Sequence, residues 1–194
     1  MKFDVVIIGG GLAGVTAGTV LQQAGLKCVL VAEGLTLDAA SRQDFRAAGG
    51  TLLQGDRVIG GIFEKDRLCG VQTEKLGDEL LYADNFVLAT GKYFSRGIVA
   101  DMNKVYEPIF GLDVEYDPDR STWFNPSFSS RQRFLDFGVV ARSGKAVRNG
   151  EPIVNLFPAG EVLSGVSGAQ GDASEIIRQS ALSAAQAILD GRNA

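Results

Sequence analysis

The chain has 194 residues, 45% of them hydrophobic and 22% charged, with a formal net charge of −4. That length suits one sizeable core with a small appended lobe, and the composition is that of a globular protein and not a disordered one. There is no basic block to bind nucleic acid or an anionic membrane surface, and no apolar run approaches the ~20 residues that span a bilayer.

In chain order, the apolar run Val5–Ile8 reads as a strand buried on both faces. Gly9, Gly11 and Gly14 follow at G-x-G-x-x-G spacing, where a helix begins that runs to about Gly25. Lys27–Ala32 is the next strand, and Glu33 closes it. Asp38–Ala48 carries Leu37, Ala40, Phe45 and Ala48 on one helical face, Gly49-Gly50 ends it, and Thr51–Gln54 is a third parallel strand. Val58–Glu64, Leu68–Glu74 and Glu79–Ala83 alternate apolar and polar residues around turns at Lys65-Asp66 and Gly77-Asp78, the pattern of an antiparallel meander. Asn85–Ala89 reads as a separate short buried strand, followed by Thr90-Gly91.

Residues 92–137 hold most of the prolines and aromatics, among them Trp123, Phe124, Phe128, Phe134 and Phe137, and are expected to form an irregular small lobe. Strand-like runs return at Gly138–Ala141 and Ile153–Phe157, with a turn at Arg142–Asn149 between them. Asp172–Leu189 spaces Ile176, Ile177, Ala181, Ala184, Ala185 and Ile188 as one helical face that would pack on the sheet. The expected fold is α/β: a single three-layer Rossmann-like domain over 1–194, with a central parallel sheet, helices on one face and the β-meander on the other.

Each part of the opening unit has a physical use in holding a dinucleotide. The glycines allow a tight turn, close approach of backbone to a pyrophosphate, and close helix–strand packing. Unpaired N–H groups at the helix start, and the helix dipole, favour the phosphates. Glu33, about 20 residues past the glycines, is placed to accept hydrogen bonds from a ribose, and an acid there disfavours a 2′-phosphate.

Histidine is absent, which removes the commonest general base and metal ligand together with Ser-His-Asp chemistry. Cys28 and Cys69 give neither a disulfide framework nor metal-ligand spacing and read as reduced core residues. The chain opens on a strand in place of a signal peptide, so a cytoplasmic location without direct membrane insertion is expected.

The order of glycine turn, acid, meander, V-L-A-T-G and N-L-F-P-A-G-E resembles the two-dinucleotide-binding-domain flavoproteins. That resemblance implies that Ala89-Thr90-Gly91 returns the chain beside the cofactor and that Glu161 of Ala159-Gly160-Glu161 hydrogen-bonds the ribityl hydroxyls of FAD. Asp172 would open a helix facing the flavin, and the Val58 backbone would meet the adenine. FDVVIIGGGLAG, ATGKYFSRGIVAD, EPIFGLDV and FLDFGVVAR together resemble, more narrowly, the family of anaerobic glycerol-3-phosphate dehydrogenase B subunits.

The narrower resemblance implies a flavoprotein subunit that works beside an FAD-containing subunit and a membrane-anchoring iron–sulfur subunit. Together they would oxidise the small-molecule substrate sn-glycerol 3-phosphate to dihydroxyacetone phosphate and pass electrons to the quinone pool. Such partners would hold the chain peripherally at the inner face of the membrane. The family resemblance implies FMN, whereas an ADP-binding fingerprint has little use without an ADP moiety; FAD is expected, with FMN the alternative.

Flavin hydride chemistry lies mostly in the cofactor, so the protein must chiefly bind and orient it. Lys92 and Arg96, just past Ala-Thr-Gly, are the candidates to place positive charge near the flavin or on a substrate phosphate, with Arg131 and Arg133 weaker ones. Family members are about twice this length, with a long segment where this chain has only Gly34–Gly50. A non-catalytic scaffold or electron-relay subunit that lacks the substrate lobe is therefore the alternative reading.

Overall fold

The computed structural model describes residues 1–34, 39–127, 129–168 and 173–192, with the side chains of 39–41 outside that description. Strand β1 (Lys2–Ile8) leads through the glycine turn into helix α1 (Leu12–Gln23), then β2 (Cys28–Ala32), helix α2 (Ala39–Ala47) and β3 (Thr51–Gln54). The three strands pair in parallel, with β1 beside β2 and β2 beside β3. Every residue of β2 is buried, as its uninterrupted apolar sequence requires of a strand covered on both faces. Helix α1 ends in a Schellman motif: Gly25 N–H donates to the Gln22 carbonyl and Leu26 N–H to the Leu21 carbonyl, with Gly25 at φ +85°.

The meander is β4 (Val58–Glu64), β5 (Arg67–Thr73) and β6 (Leu80–Leu88). One expectation needs correction here: the third meander strand and the short buried strand are a single element, β6. Its first half alternates, with Leu81 and Ala83 in and Tyr82 out; its second half, Phe86-Val87-Leu88, is buried throughout. The first half pairs antiparallel with β5, and β6 also pairs in parallel with β1 along most of its length. A change of pattern that reads as two strands is one strand passing from the antiparallel meander, where one face is exposed, into the parallel sheet, where both faces are covered.

Beyond β6 come two short antiparallel pairs, the hairpin of β7 (Val99–Ala100) with β8 (Val105–Tyr106), and β9 (Val114–Glu115) with the more distant β10 (Gly138–Val139). A three-stranded sheet follows, of β11 (Ala141–Arg142), β12 (Lys145–Arg148) and β13 (Glu151–Pro152). The expected turn at 142–149 therefore contains a strand, because Ser143-Gly144 and Asn149-Gly150 each close a two-residue hairpin with positive φ at both positions. Strand β14 (Leu156–Pro158) pairs in parallel with the second half of β6, and helix α3 spans Ala173–Arg192. Leu37 and Phe128 lie outside the described residues, as does the side chain of Ala40.

The sheet divides two cores. On one face Val5, Ile7, Cys28, Leu30 and Val87 meet α1, α3 and Phe45 of α2. On the other, Val6, Ile8, Val29, Val31, Phe86 and Leu88 meet the meander and residues 98–162, including Ile98, Phe110, Trp123 and Phe137. Residues 92–137 thus contribute buried side chains to the second core. Asn155 ties the layers where β5, β6 and β14 part. Its Oδ1 accepts from the Leu68 N–H (3.0 Å), and its Nδ2 donates to the Leu68 and Asp84 carbonyls (2.8 and 2.9 Å). Among the described residues no helix is long and apolar enough to cross a membrane.

Asn155→Ala removes three hydrogen bonds to backbone groups of β5 and β6, two of them buried, at a cost of ~3 kcal/mol, and leaves the Asp84 carbonyl only a long contact from Arg67 (3.4 Å). Thermal unfolding should show a melting temperature lower by roughly 6–12 °C. A shift within 2 °C would show that water takes over these bonds.

Candidate functional site

Three strand ends meet at the carboxyl edge of the parallel sheet. Ala89 N–H donates to the Ile8 carbonyl and Ala159 N–H to the Leu88 carbonyl, so the chain just past β1, β6 and β14 lies side by side. The glycine turn is fitted against this edge. Gly9 has φ +108°, and a Cβ there would strike the Ala89 carbonyl; a Cβ on Gly14 would strike the Gly9 carbonyl. Gly11 differs, since a Cβ there would meet nothing within 4 Å. Packing within the protein therefore demands glycine at 9 and 14, while at 11 the demand, if any, comes from outside the chain.

Gly11 is the N-cap of α1, no side chain caps that terminus, and the first turn holds no acid. Its amides are a positive set of donors that no side chain caps, the chemistry that a pyrophosphate requires. Glu33 follows β2 on the same edge; its carboxylate is half exposed and, among the described residues, reaches only to Arg57, at 3.8 Å. The Thr90 hydroxyl is buried beside this turn without a hydrogen-bond partner among the described residues. Gly160 has φ +76°, and its N–H donates to Ser180 Oγ (2.8 Å) on α3. A Cβ on Gly160 would fall 2.7 Å from Ala13 in the first turn of α1. Glu161 follows it, partly buried, with its carboxylate pressed on Gly168. These residues fit a dinucleotide laid across the edge, from the acid after β2 to the acid after β14.

The structure brings Gly9, Gly11, Gly14, Thr90, Gly91 and Gly160 together there, with Glu33 and Glu161 on either side. Val58 is buried at the start of β4, opposite Thr73. Asp172 lies outside the described residues.

Lys92 and Arg96 separate sharply. Lys92 is 7% exposed, and its ammonium donates to the Leu135 (2.5 Å) and Val166 (2.7 Å) carbonyls. Burial lowers its pKa from 10.5 to about 8, against the opposing charges of Asp136 and Glu161. It is a tie between the Ala-Thr-Gly turn and the two loops that face it. Arg96 is exposed, with φ +58°. Arg131 is bidentate to Asp136 (2.9 Å) and Arg133 pairs with Asp117 (3.0 Å), so both are spent within the chain.

Sequence reasoning missed two buried acids and a tie. Glu107 of the EPIFGLDV stretch is 1% exposed, with its carboxylate accepting from the Ile109 and Phe110 N–H groups (2.9 and 2.7 Å). Burial pushes its pKa up and those N–H bonds pull it down. Asp56 binds the Thr73 hydroxyl and the Arg57 and Lys75 N–H groups at the entry to the meander. An acid followed by apolar residues, as in EPIF, is the one signal that pointed to a buried acid. Ser180, which holds Gly160, carried no signal at all. Cys28 is buried, its thiol pushed up to about 12 by burial and then by Asp4, as an inert core residue requires. A separate cleft of about 450 Å³ lies at the opposite end of β1, beside Asp4, Arg67 and Lys145, and shares no residue with this edge.

A parallel sheet with helices on one face, a meander sharing its central strand, and a glycine turn at its carboxyl edge define the Rossmann-like fold of dinucleotide-binding proteins. The chain belongs to the FAD binding domain family, which matches residues 34–176; a second FAD binding domain family matches residues 2–49. FAD is thus the cofactor that both families name. The B subunit of anaerobic glycerol-3-phosphate dehydrogenase from Vibrio cholerae serotype O1 (strain ATCC 39315 / El Tor Inaba N16961) is 40% identical over 135 residues, 68% of this chain and 31% of that protein. Its counterpart from Aliivibrio fischeri (strain MJ11) is 36% identical over 171 residues, 81% of this chain and 38% of that protein. The chain spans about a third of the length of these relatives.

Solved structures share the fold at low identity. A thioredoxin reductase from Gloeobacter violaceus is 13% identical with a TM-score of 0.59, covering 100% of this chain and 97% of that chain. Thermovibrio ammonificans THI4 is 13% identical with a TM-score of 0.62, covering 100% and 91%.

The tie made by Lys92 has a pH signature. Its folded pKa of about 8 lies below the unfolded 10.5, so the unfolded chain binds the extra proton between those values, and stability from this group rises with pH in that window. Urea unfolding of the native chain relative to Lys92→Met should therefore gain on the order of 1–2 kcal/mol from pH 8 to pH 10. A flat difference would show Lys92 to be solvated.

Proposed function

We propose that this chain is the FAD-binding part of a flavin-dependent dehydrogenase acting on sn-glycerol 3-phosphate. The observation that carries the reading is the junction of three strand ends on the uncapped start of α1, in a chain 36–40% identical to dehydrogenase B subunits. Residues 1–194 act as one dinucleotide-binding unit, with 92–137 as a small lobe over the sheet's second face.

The amides of Gly11 and the first turn of α1 receive the pyrophosphate, and Glu33 accepts from the adenosine ribose. The Val58 backbone meets the adenine. Thr90, Gly91 and Gly160 line the path along the edge, and Glu161 accepts from the ribityl hydroxyls. FAD, when bound, supplies the two-electron acceptor. The oxidised carbon is the secondary alcohol of the substrate, which loses a hydride and its hydroxyl proton to become the ketone of dihydroxyacetone phosphate. Electrons then pass through partner subunits to the quinone pool, and those partners hold this cytoplasmic chain at the inner face of the membrane.

A second reading, a scaffold or relay subunit without substrate chemistry, is favoured by one observation. Among the described residues a single helix, α2, joins β2 to β3, and the connection, Gly34–Gly50, is short for a substrate lobe. The flavin absorbance near ~450 nm separates the two. Bleaching of the FAD-loaded chain by sn-glycerol 3-phosphate without oxygen is the expected result. Bound flavin that never bleaches supports the second reading, and failure to retain any FAD after reconstitution sinks both.

Loss of one charged acceptor should weaken FAD binding about tenfold in each of Glu33→Ala and Glu161→Ala, read by titration of flavin fluorescence. Affinity unchanged in both variants would contradict the assignment of the two ends.

A further inference from the structure

The turn that follows Thr90 has the geometry of a helix C-terminus. Gly97 N–H donates to the Lys92 carbonyl (2.9 Å) and Arg96 N–H to the Tyr93 carbonyl (3.2 Å), the same pair of bonds that closes α1. In α1 the left-handed position of that motif is Gly25; here it is Arg96, at φ +58°. A residue with a Cβ is disfavoured in this region, where glycine is at ease.

Among the described residues, three other non-glycine residues have positive φ: Lys65, Ser143 and Asn149. Each sits in a two-residue hairpin turn, between β4 and β5, β11 and β12, or β12 and β13, where strand pairing itself imposes the conformation. Arg96 has no hairpin to account for it. Nor does its side chain hold the turn, since it is exposed and forms no ion pair or hydrogen bond among the described residues.

The turn itself is fixed. Ser95 Oγ donates to the Thr90 carbonyl (2.6 Å), and a Cβ on Gly97 would strike the Gly91 carbonyl and lie 2.7 Å from Thr90 Oγ1. Thr90 directly follows Ala89, whose carbonyl packs on Gly9, so the turn is anchored to the strand end that bears the glycine turn. Of the four cations considered above, Lys92, Arg131 and Arg133 are engaged by carbonyls or acids of this chain. The guanidinium of Arg96 is the charge left over, on a rigid support, held in a conformation that glycine would adopt more readily.

We propose that Arg96 binds the phosphate of the substrate and so selects a phosphomonoester over an uncharged polyol. A guanidinium presents paired N–H donors that match two phosphate oxygens, which fixes orientation as well as charge. The inference rests on the dehydrogenase reading above and adds to it the residue that recognises the anionic end.

The test is calorimetric titration of inorganic phosphate, sn-glycerol 3-phosphate and glycerol into the FAD-loaded chain and into Arg96→Gly and Arg96→Lys. The native chain should bind both phosphates and not glycerol. Arg96→Gly should lose tenfold or more in phosphate affinity, with Arg96→Lys in between. The melting temperature of Arg96→Gly should equal or exceed that of the native chain, because the strained position is relieved. Phosphate binding that survives Arg96→Gly overturns the role of Arg96 and leaves the dehydrogenase reading standing; a native chain that binds neither phosphate overturns both. A melting temperature several degrees lower in Arg96→Gly shows a structural side chain and overturns the inference.

Discussion

The whole carboxyl edge depends on the backbone of residue 9 having no side chain on either side of it. The Ala89 carbonyl approaches Gly9 from one side, and the Gly9 carbonyl occupies the space a Cβ of Gly14 would need. Only this double contact lets α1 start directly over the ends of β1 and β6, with β14 next in line. A single methyl at either position would push the helix start away from the strands, and with it the donors aimed at the edge.

Once that geometry is set, two kinds of charge stand out. Those that hold the structure are turned inward and saturated: the Lys92 ammonium between two carbonyls, Glu107 under the amides of its own turn, and Asp113 accepting from the Asn149 and Gly150 N–H groups of a hairpin. Two exposed charges with few partners among the described residues lie at the carboxyl edge: Glu33, with one long contact to Arg57, and Arg96. A buried charge without partners is costly, whereas an exposed one waiting for a ligand costs little, so this division is what a binding edge on a stable scaffold requires.

The opening unit was legible because local sequence and tertiary role coincide there. A fully apolar strand, three spaced glycines and a closing acid each have one physical meaning, and β1, α1, β2, β3 and the meander turns follow from them. Legibility failed where one element serves two environments, as in β6, whose alternating and continuous halves belong to one strand. It failed again at 138–158, where paired positive-φ turns at Ser143-Gly144 and Asn149-Gly150 make three short strands from a stretch read as strand, turn and strand. The candidate site was readable as positions and not as roles. Lys92 and Arg96 are both cations just past Ala-Thr-Gly, and only burial against the 135 and 166 carbonyls shows that one is structural. Ser180 lies 20 residues from the Gly160 amide it holds, a distance that no local pattern bridges.

The central claim is that backbone amides at the start of α1, presented by a glycine with open space beside it, hold the pyrophosphate of FAD. Titration of FAD into Gly11→Val tests it most directly, because a Cβ at 11 would meet nothing within 4 Å and the added bulk starts in open space at the helix terminus. The account predicts a melting temperature without FAD within about 2 °C of the native chain and an FAD affinity at least ~100-fold weaker. Undiminished FAD binding by a normally folded Gly11→Val chain would contradict it.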